Sequence, residues 1–293
     1  MTRAGIVTVA GRPNAGKSTL LNRLVGEKLA ITSPKPQSTR RRVVGIITKD
    51  DTQFIVNDTP GLLNPRYALH AAMRGEALAA LEDADVIAYV VDGSKGPVEP
   101  LVEVARLDRM PRAPVLTVVN KSDLMSTAQR DEIADANPDC VFISAELGHG
   151  IAELEHRLRG YLPESPFLYD PEDISTQSMR FFVSEMVRET ALEQLEDEVP
   201  YSVACEVEEY REDGDPIYIR AVLYVERDSQ KAILIGHKGE RIRNIGQAAR
   251  AKVEGLLGSR VYLDLWVKVL DNWRRNAGAL RRFGFVIPEE RSP

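Results

Sequence analysis

Two cysteines in 293 residues leave no room for a disulfide framework or a cysteine-built metal site. Cys140 and Cys205 fall in what read as different domains, as unremarkable reduced thiols of a cytosolic protein do. No stretch approaches eighteen consecutive apolar residues, so a membrane-spanning helix is not expected. No basic, apolar and small-residue leader precedes the first strand pattern, so secretion is not expected either. Internal repeats and low-complexity tracts are absent from the sequence. What is there is ordinary for a soluble globular chain, 43% apolar and 28% charged, and long enough for two domains. The net charge of −6 conceals an asymmetry. Residues 231–293 carry thirteen Lys/Arg and six Asp/Glu, a net of +7, which leaves −13 for residues 1–230. An acidic body with a basic end points to a polyanionic partner at that end, against the plainer reading of a solvated basic face.

The chain is organised around residues 11–18, GRPNAGKS, the pattern G-x-x-x-x-G-K-[ST]. The apolar run Gly5–Ala10 before it reads as a buried strand, and Lys17–Val25 after it reads as a helix ending at Gly26. Glycines let the backbone curl its N–H groups toward a phosphate, and the helix N-terminus adds partial positive charge. Lys17 is placed to reach terminal phosphates and the Ser18 hydroxyl to ligate Mg²⁺. Gly11, Arg12, Pro13, Asn14, Ala15, Gly16, Lys17, Ser18 and Thr19 are thus the first nucleotide-binding candidates.

A loop with two prolines, Thr32–Thr39, precedes a strand pair, Arg42–Lys49 and Gln53–Asn57, joined at Asp50-Asp51 as a hairpin. The second strand leads into Asp58-Thr59-Pro60-Gly61, about forty residues after Lys17, where a phosphate-loop protein needs a carboxylate linked to its Mg²⁺. Gly61 has no side chain to keep its N–H from a γ-phosphate. Helices are expected at His70–Glu82, around Val98–Arg109, at Thr127–Ala136 and at Ile151–Leu162, with strands at Val86–Val91, Val115–Val119 and Asp139–Ile143. The alternation implies a doubly wound, mostly parallel α/β sheet with ligand at the strand C-terminal ends.

The strand Val115–Val119 runs into Asn120-Lys121-Ser122-Asp123. Guanine offers two donors, N1–H and the 2-amino group, to one carboxylate, and adenine has no such pair. Asp123 therefore selects guanine and argues against an ATP-using enzyme. Asn120 can face the other base edge and the Lys121 stem can pack over the ring. Backbone N–H groups of Ser144-Ala145-Glu146 can reach the guanine oxygen.

GRPNAGKS, Thr39, DTPG, NKSD and SAE, in this order, resemble the motif set of translation-factor-related GTPases over residues 5–161. The resemblance implies GTP/GDP binding, with Mg²⁺ held by Ser18, Thr39 and, through water, Asp58, and a loop around Thr39 that orders with GTP. Lys17, Thr39, Asp58, Gly61 and Asn14 are the catalytic candidates. One departure matters: Leu62 follows DTPG where Ras-like proteins place a water-orienting glutamine, so slow intrinsic hydrolysis is expected. Related GTPases with asparagine at the place of Asn14 in the loop use K⁺ near the phosphates. The other reading of Asn14 is a loop-stabilising hydrogen bond.

Prolines 163, 166 and 171, set among acidic residues, make 162–175 a linker between a domain at 1–161 and another at 176–293. Ser175 or Thr176 is expected to cap a helix through Glu196, followed by strands at Tyr201–Tyr210 and Ile217–Glu226 and a helix at Gln230–Ile235. Then come Gly236-His237-Lys238-Gly239, a helix at Glu240–Leu257, a strand at Val261–Val269 and a last helix at Asn272–Arg282. This α+β order resembles the bacterial (type II) KH domain, whose G-x-x-G loop clamps single-stranded nucleic acid. Gly236, His237, Lys238, Gly239 and Arg241 are the RNA-binding candidates, extended by Arg274, Arg275, Arg281 and Arg282 along the last helix. Ile233, Ile235 and Ile245 are either groove or core, and Trp273 is expected in the core.

The two halves together, with QSTRRRVVGI, EVPYSVACEVEEY, LYVERDSQKAILIGHKG and LWVKV, resemble the Era family of bacterial GTPases along essentially the whole chain. The resemblance implies binding near the 3′ end of 16S rRNA, a role in 30S ribosomal subunit assembly, a cytoplasmic monomer, and a family link to the inner face of the membrane without an anchor. The competing class is a GTPase switch acting on a protein or membrane partner, with the second domain as a protein-binding module.

Overall fold

The computed structural model describes residues 1–287. They fall into two compact units, one of residues 1–65 and 72–176, the other of residues 66–71 and the chain from Gln177 onward.

The first unit is built on a six-stranded sheet in the order β2-β3-β1-β4-β5-β6. Its strands are β1 (Arg3–Ala10), β2 (Val43–Lys49), β3 (Thr52–Asp58), β4 (Val86–Asp92), β5 (Val115–Asn120) and β6 (Val141–Phe142). All neighbours run parallel except the β2–β3 hairpin, which turns at Asp50-Asp51. The helices are α1 (Lys17–Val25), α2 (Ala68–Glu82), α3 (Leu101–Ala105), α4 (Thr127–Ala136) and α5 (Ile151–Tyr161). β1, β3 and β4 are almost wholly buried, as central strands covered on both faces are, and β1 and β4 are largely apolar. The parallel strands deliver their C-terminal ends, residues 10, 58, 92, 120 and 142, to one edge of the sheet. There the motif loops begin.

Two expectations shorten. The helix around 98–109 is one turn and a half, because Pro100 can only stand at its start and Arg106, left-handed at φ 49°, stops it. β6 keeps only two residues. The 162–175 stretch lies against the sheet: Ile46 N–H donates to Ile174 O at 2.9 Å, the Ser175 hydroxyl to Val44 O at 2.6 Å, and the Leu168 N–H to Gln53 Oε1 at 2.8 Å.

The second unit is a three-stranded sheet, β7 (Ala204–Arg211), β8 (Ile217–Val225) and β9 (Val261–Val269), antiparallel between β7 and β8 and parallel between β8 and β9. Its helices are α6 (Met179–Gln194), α7 (Val199–Ser202), α8 (Asp228–Ile235), α9 (Glu240–Leu257) and α10 (Ala277–Arg282). Val187 and Ala191 of α6, Leu223 and Val225 of β8, Leu234 of α8, and Ile245 and Ala249 of α9 form one apolar core. The order is helix–strand–strand–helix–helix–strand, with α7 added before the first strand.

Three boundaries differ from expectation. Ser178, not Ser175 or Thr176, caps α6, its hydroxyl taking the Phe181 N–H, while Ser175 turns to Val44. Pro200 in the first turn of α7 makes Tyr201 and Ser202 helical, so the strand starts at Ala204. The last helix is broken. Trp273–Arg275 is a 3₁₀ turn, and Asn276, in extended conformation, caps a separate α10 by accepting from Ala279 N.

Candidate functional site

The phosphate-binding loop curls between β1 and α1. Gly16, the residue before α1, is left-handed at φ 94°, and a Cβ there would fall 2.1 Å from the Asn120 amide nitrogen. Only glycine fits. A Cβ on Gly61 would fall 2.8 Å from Pro13, so the two loops approach backbone to backbone. The Leu62 N–H donates to Gly11 O at 3.0 Å and ties them. Residues 13, 14, 16–19, 39, 61, 121 and 146 share the wall of an open cavity of about 370 Å³.

Three hydroxyl and carboxylate groups meet at its floor. The Ser18 hydroxyl donates to Asp58 Oδ2 at 2.7 Å, the Thr39 hydroxyl to the same oxygen at 3.1 Å, and the two hydroxyls lie 2.7 Å apart. Asp58 Oδ1 is buried with no hydrogen-bond partner among the described residues. Burial pushes the Asp58 carboxyl above its usual value, against the Lys17 charge and the two hydroxyl bonds. Burial likewise lowers the Lys17 ammonium, against Asp58, and its Nζ donates to Arg12 O at 3.1 Å. A buried ammonium beside a cavity awaits an anion. Hard oxygen donors around an orphaned carboxylate oxygen fit Mg²⁺. Ser18, Thr39 and Asp58, expected together as metal ligands, are brought together.

On the base side some of the expected groups are already engaged within the protein. Asn120 was expected at a base edge. Its side chain is 3% exposed and braces two loops instead: Nδ2 donates to Ala15 O at 2.8 Å, and Oδ1 accepts the Ala145 N–H at 2.9 Å. The Ser144 N–H is given to His149 O at 3.0 Å. Asp123 stands exposed in the 3₁₀ turn Ser122–Leu124, and Lys121 lines the cavity. Sequence reasoning missed Arg23, whose Nε donates to Ala145 O at 3.0 Å and whose Nη2 donates to Glu146 O. Its only signal was a basic residue in the last turn of α1.

Other candidates are structural as placed. Thr59 is buried, its hydroxyl donating to Val9 O at 2.8 Å, and Pro60 is buried beside it. Arg12 pairs outward with Glu99 at 2.6 Å. Asn14, left-handed at φ 62°, donates from Nδ2 to Pro34 O at 2.8 Å, which ties the phosphate loop to the 32–39 loop. Leu62 is 2% exposed in a core with Ala77, Leu81 and Tyr89, so the position where Ras-like proteins carry glutamine faces inward.

In the second unit Gly236 (φ 72°), Lys238 (φ 49°) and Gly239 (φ 76°) shape the turn between α8 and α9. A Cβ on Gly236 would meet Arg241 Cβ at 2.7 Å. His237 and Lys238 are exposed. Arg241 Nη1 donates to Ile233 O at 3.2 Å, and Arg243, which the sequence reading passed over, donates to Gly239 O and Lys238 O at 3.2 and 3.1 Å. Ile245 is core, Ile233 is exposed and Ile235 half-buried. Trp273 is fully buried as expected, with Nε1 donating to Ser202 O at 2.8 Å. Arg274 is committed to Glu226, Nε to Oε2 at 2.9 Å, and Arg282 to Glu206, while Arg275 and Arg281 are exposed. The arginines do not share one helix, because Asn276 breaks it.

A family described as 50S ribosome-binding GTPase matches residues 6–121, and one described as KH domain matches residues 198–274. The chain is 42% identical to GTPase Era of Pseudomonas putida, over 97% of each chain. The chain belongs to the Era family of GTPases. Era of Carboxydothermus hydrogenoformans is 41% identical, covering 97% of this chain and 98% of its own. The crystal structure of an Aquifex aeolicus Era point variant bound to GDP·AlF4⁻ matches with TM-score 0.91 and 37% identity, over 98% of this chain and 100% of that one. An Era structure with MgGDPNP and nucleotides 1506–1542 of 16S ribosomal RNA matches with TM-score 0.90 at the same identity and coverage.

Proposed function

We propose that this Era-family chain binds and hydrolyses GTP at the Lys17–Ser18–Thr39–Asp58 cluster. In this reading it uses the KH unit to hold the 3′ region of 16S rRNA during 30S subunit assembly. The convergence of Ser18 and Thr39 on Asp58, whose second oxygen is buried and unpartnered, carries the nucleotide half.

The loop N–H groups and Lys17 hold the phosphates, and Ser18, Thr39 and Asp58 hold the metal. Mg²⁺, when bound, neutralises charge on the β- and γ-phosphate oxygens. Gly61 presents its N–H to the γ-phosphate, Asp123 accepts the two guanine donors, and Lys121 covers the ring. As the GTPase resemblance implies, the loop of Thr39 is held with GTP bound and loosens after hydrolysis. Hydrolysis is slow because Leu62 cannot orient water. Asn14 serves the loop through Pro34. K⁺ near the phosphates is a separate proposal, tested by comparing hydrolysis in KCl and NaCl, and equal rates would remove it.

Gly236 and Gly239 bring the turn backbone to RNA phosphates, with His237, Lys238, Arg241 and Arg275 adding donors and charge, while Arg274 stabilises the unit through Glu226. The protein acts in the cytoplasm as a monomer. Among the described residues no helix is long and apolar enough to cross a membrane. A peripheral stay at its inner face has only the family resemblance behind it.

The test is binding of a fluorescent 3′-terminal 16S rRNA oligonucleotide and a scrambled one at fixed salt, with GTP analogue, GDP or no nucleotide. Tighter, sequence-selective binding with the GTP analogue, lost in Gly236→Asp/Gly239→Asp, is expected. Equal affinity for both RNAs in every state would redirect the search to protein or membrane partners.

A further inference from the structure

Asp92 is the last residue of β4, and the parallel register with β5 sets it opposite Asn120, next to Lys121. Its side chain is 8% exposed. A carboxylate that far from water needs its lone pairs filled, and both oxygens are engaged. Oδ1 accepts the Ser94 hydroxyl at 2.6 Å and the Ser94 N–H at 3.2 Å, an arrangement that fixes the plane of the carboxylate. Oδ2 is left for a cation and accepts Lys121 Nζ at 2.7 Å. Lys95 reaches the same oxygen at 3.5 Å from a side chain that is 68% exposed, so it is the looser partner. Burial works against the Asp92 charge, but the Lys121 and Ser94 bonds outweigh it and hold the carboxyl below its usual value.

Lys121 is left-handed at φ 61° and lines the nucleotide cavity with Asn14, Lys17 and Glu146. Asp92 does not. It belongs to a smaller pocket of about 120 Å³ behind the phosphate loop, shared with Arg12, Lys95 and Glu99. The carboxylate thus holds the tip of Lys121 from a neighbouring pocket, while Lys121 itself still lines the nucleotide cavity. A free lysine stem loses rotamer freedom when it packs on a base, and a tethered one has already lost it.

We propose that Asp92, oriented by Ser94, is a positioning residue for the guanine nucleotide: it anchors the Lys121 ammonium so that the Lys121 stem is pre-set to cover the base. The proposal rests on the nucleotide reading above. It differs from a plain turn-stabilising role of Asp92 in one respect, that its whole effect on the nucleotide passes through Lys121.

The experiment is a double-mutant cycle read as the release rate of fluorescent GDP from the full chain: native, Asp92→Asn, Lys121→Met and the double variant. Methionine keeps an apolar stem and loses the tether. Each single variant is expected to release GDP about tenfold faster, the change that losing one hydrogen bond to a charged group produces, and the double variant no faster than Lys121→Met alone. Ser94→Ala, which leaves the ion pair in place, is expected to speed release less than Asp92→Asn and to add nothing in the Lys121→Met background. Asp92→Asn releasing GDP within twofold of native, or the two effects multiplying in the double variant, would overturn the proposal. Failure of the native chain to bind GDP would count against the nucleotide reading instead.

Discussion

Ser18 and Asp58, forty positions apart, are joined by a 2.7 Å hydrogen bond from the hydroxyl to Oδ2, and Asp58 Oδ1 stays buried without a partner. A helix start and a strand end thus bring oxygens side by side, and the proposed Mg²⁺ site rests on that pairing. Removing the metal with a chelator should therefore loosen GTP binding in the native chain. In Asp58→Asn the chelator should change little, because the variant has already lost the Mg²⁺-dependent part. Thermal shift with GDP checks this: saturation at a hundred times Kd stabilises the native chain by about 2.7 kcal/mol, and most of the Mg²⁺-dependent share should be gone in the variant.

The pH dependence follows from the same carboxylate. Burial raises its value, so Asp58 takes up a proton at a pH where ordinary carboxylates, near about 3.9, are still ionised. Metal needs the ionised form. At limiting Mg²⁺ the Mg²⁺-dependent part of GTP affinity should fall on acidification as Asp58 takes up its proton and recover as Mg²⁺ is raised, because metal and proton compete for one carboxylate, while Asp58→Asn should give a flat, low profile. A native pH profile that does not move with Mg²⁺ concentration would contradict the assignment.

Asp123 stands exposed in its turn, and the proposed function gives its carboxylate to the base. Asp123→Asn should weaken GTP by at least about a hundredfold, roughly 2.7 kcal/mol, since both guanine donors lose a charged acceptor. Fold stability should be unchanged, because the Asp123 side chain makes no hydrogen bond or ion pair among the described residues. Unaltered GTP affinity would refute guanine selection by this residue.

Leu62 is 2% exposed in the apolar core. Leu62→Gln should not create a fast GTPase. It should lower stability by about 2–4 kcal/mol, from lost apolar burial and a buried amide without partners. A variant with native melting behaviour and faster hydrolysis would show that the side chain reaches the cavity after all.

Within the KH unit the arginines divide by partner. Arg274 is tied to Glu226, whereas Lys238 and Arg275 face solvent. Lys238→Ala and Arg275→Ala should each reduce the salt slope of RNA binding by about 0.7, one single-strand phosphate contact, without changing the melting temperature. Arg274→Ala should destabilise the unit by leaving Glu226 buried and unpaired.

Much of this was legible in the sequence, because phosphate-loop chemistry is local. Gly11, Gly16, Lys17 and Ser18 are fixed by what one turn of backbone must do, and Asp58 by the strand it leaves. The GHKG turn and helix α9 were legible for the same reason. The brace role of Asn120 was not, since it depends on Ala15 and Ala145 arriving from two other loops. Ser178 displaced Ser175 as a cap because Ser175 finds Val44, a contact no local pattern encodes. The break at Asn276 was hidden because the residues on both sides favour helix. Arg23 and Asp92 carried no motif at all, and only the strand order brings them to the site.

The central claim is a single Mg²⁺-dependent guanine-nucleotide site, and the most direct test is competition against a fluorescent GTP analogue. Unlabelled GTP, GDP and ATP would each be titrated with Mg²⁺ and again with EDTA. The account predicts displacement by GTP and GDP, none by ATP at concentrations about a thousandfold higher, and weaker binding of the analogue in EDTA. Displacement by ATP as effective as by GTP, or affinity indifferent to EDTA, would contradict it.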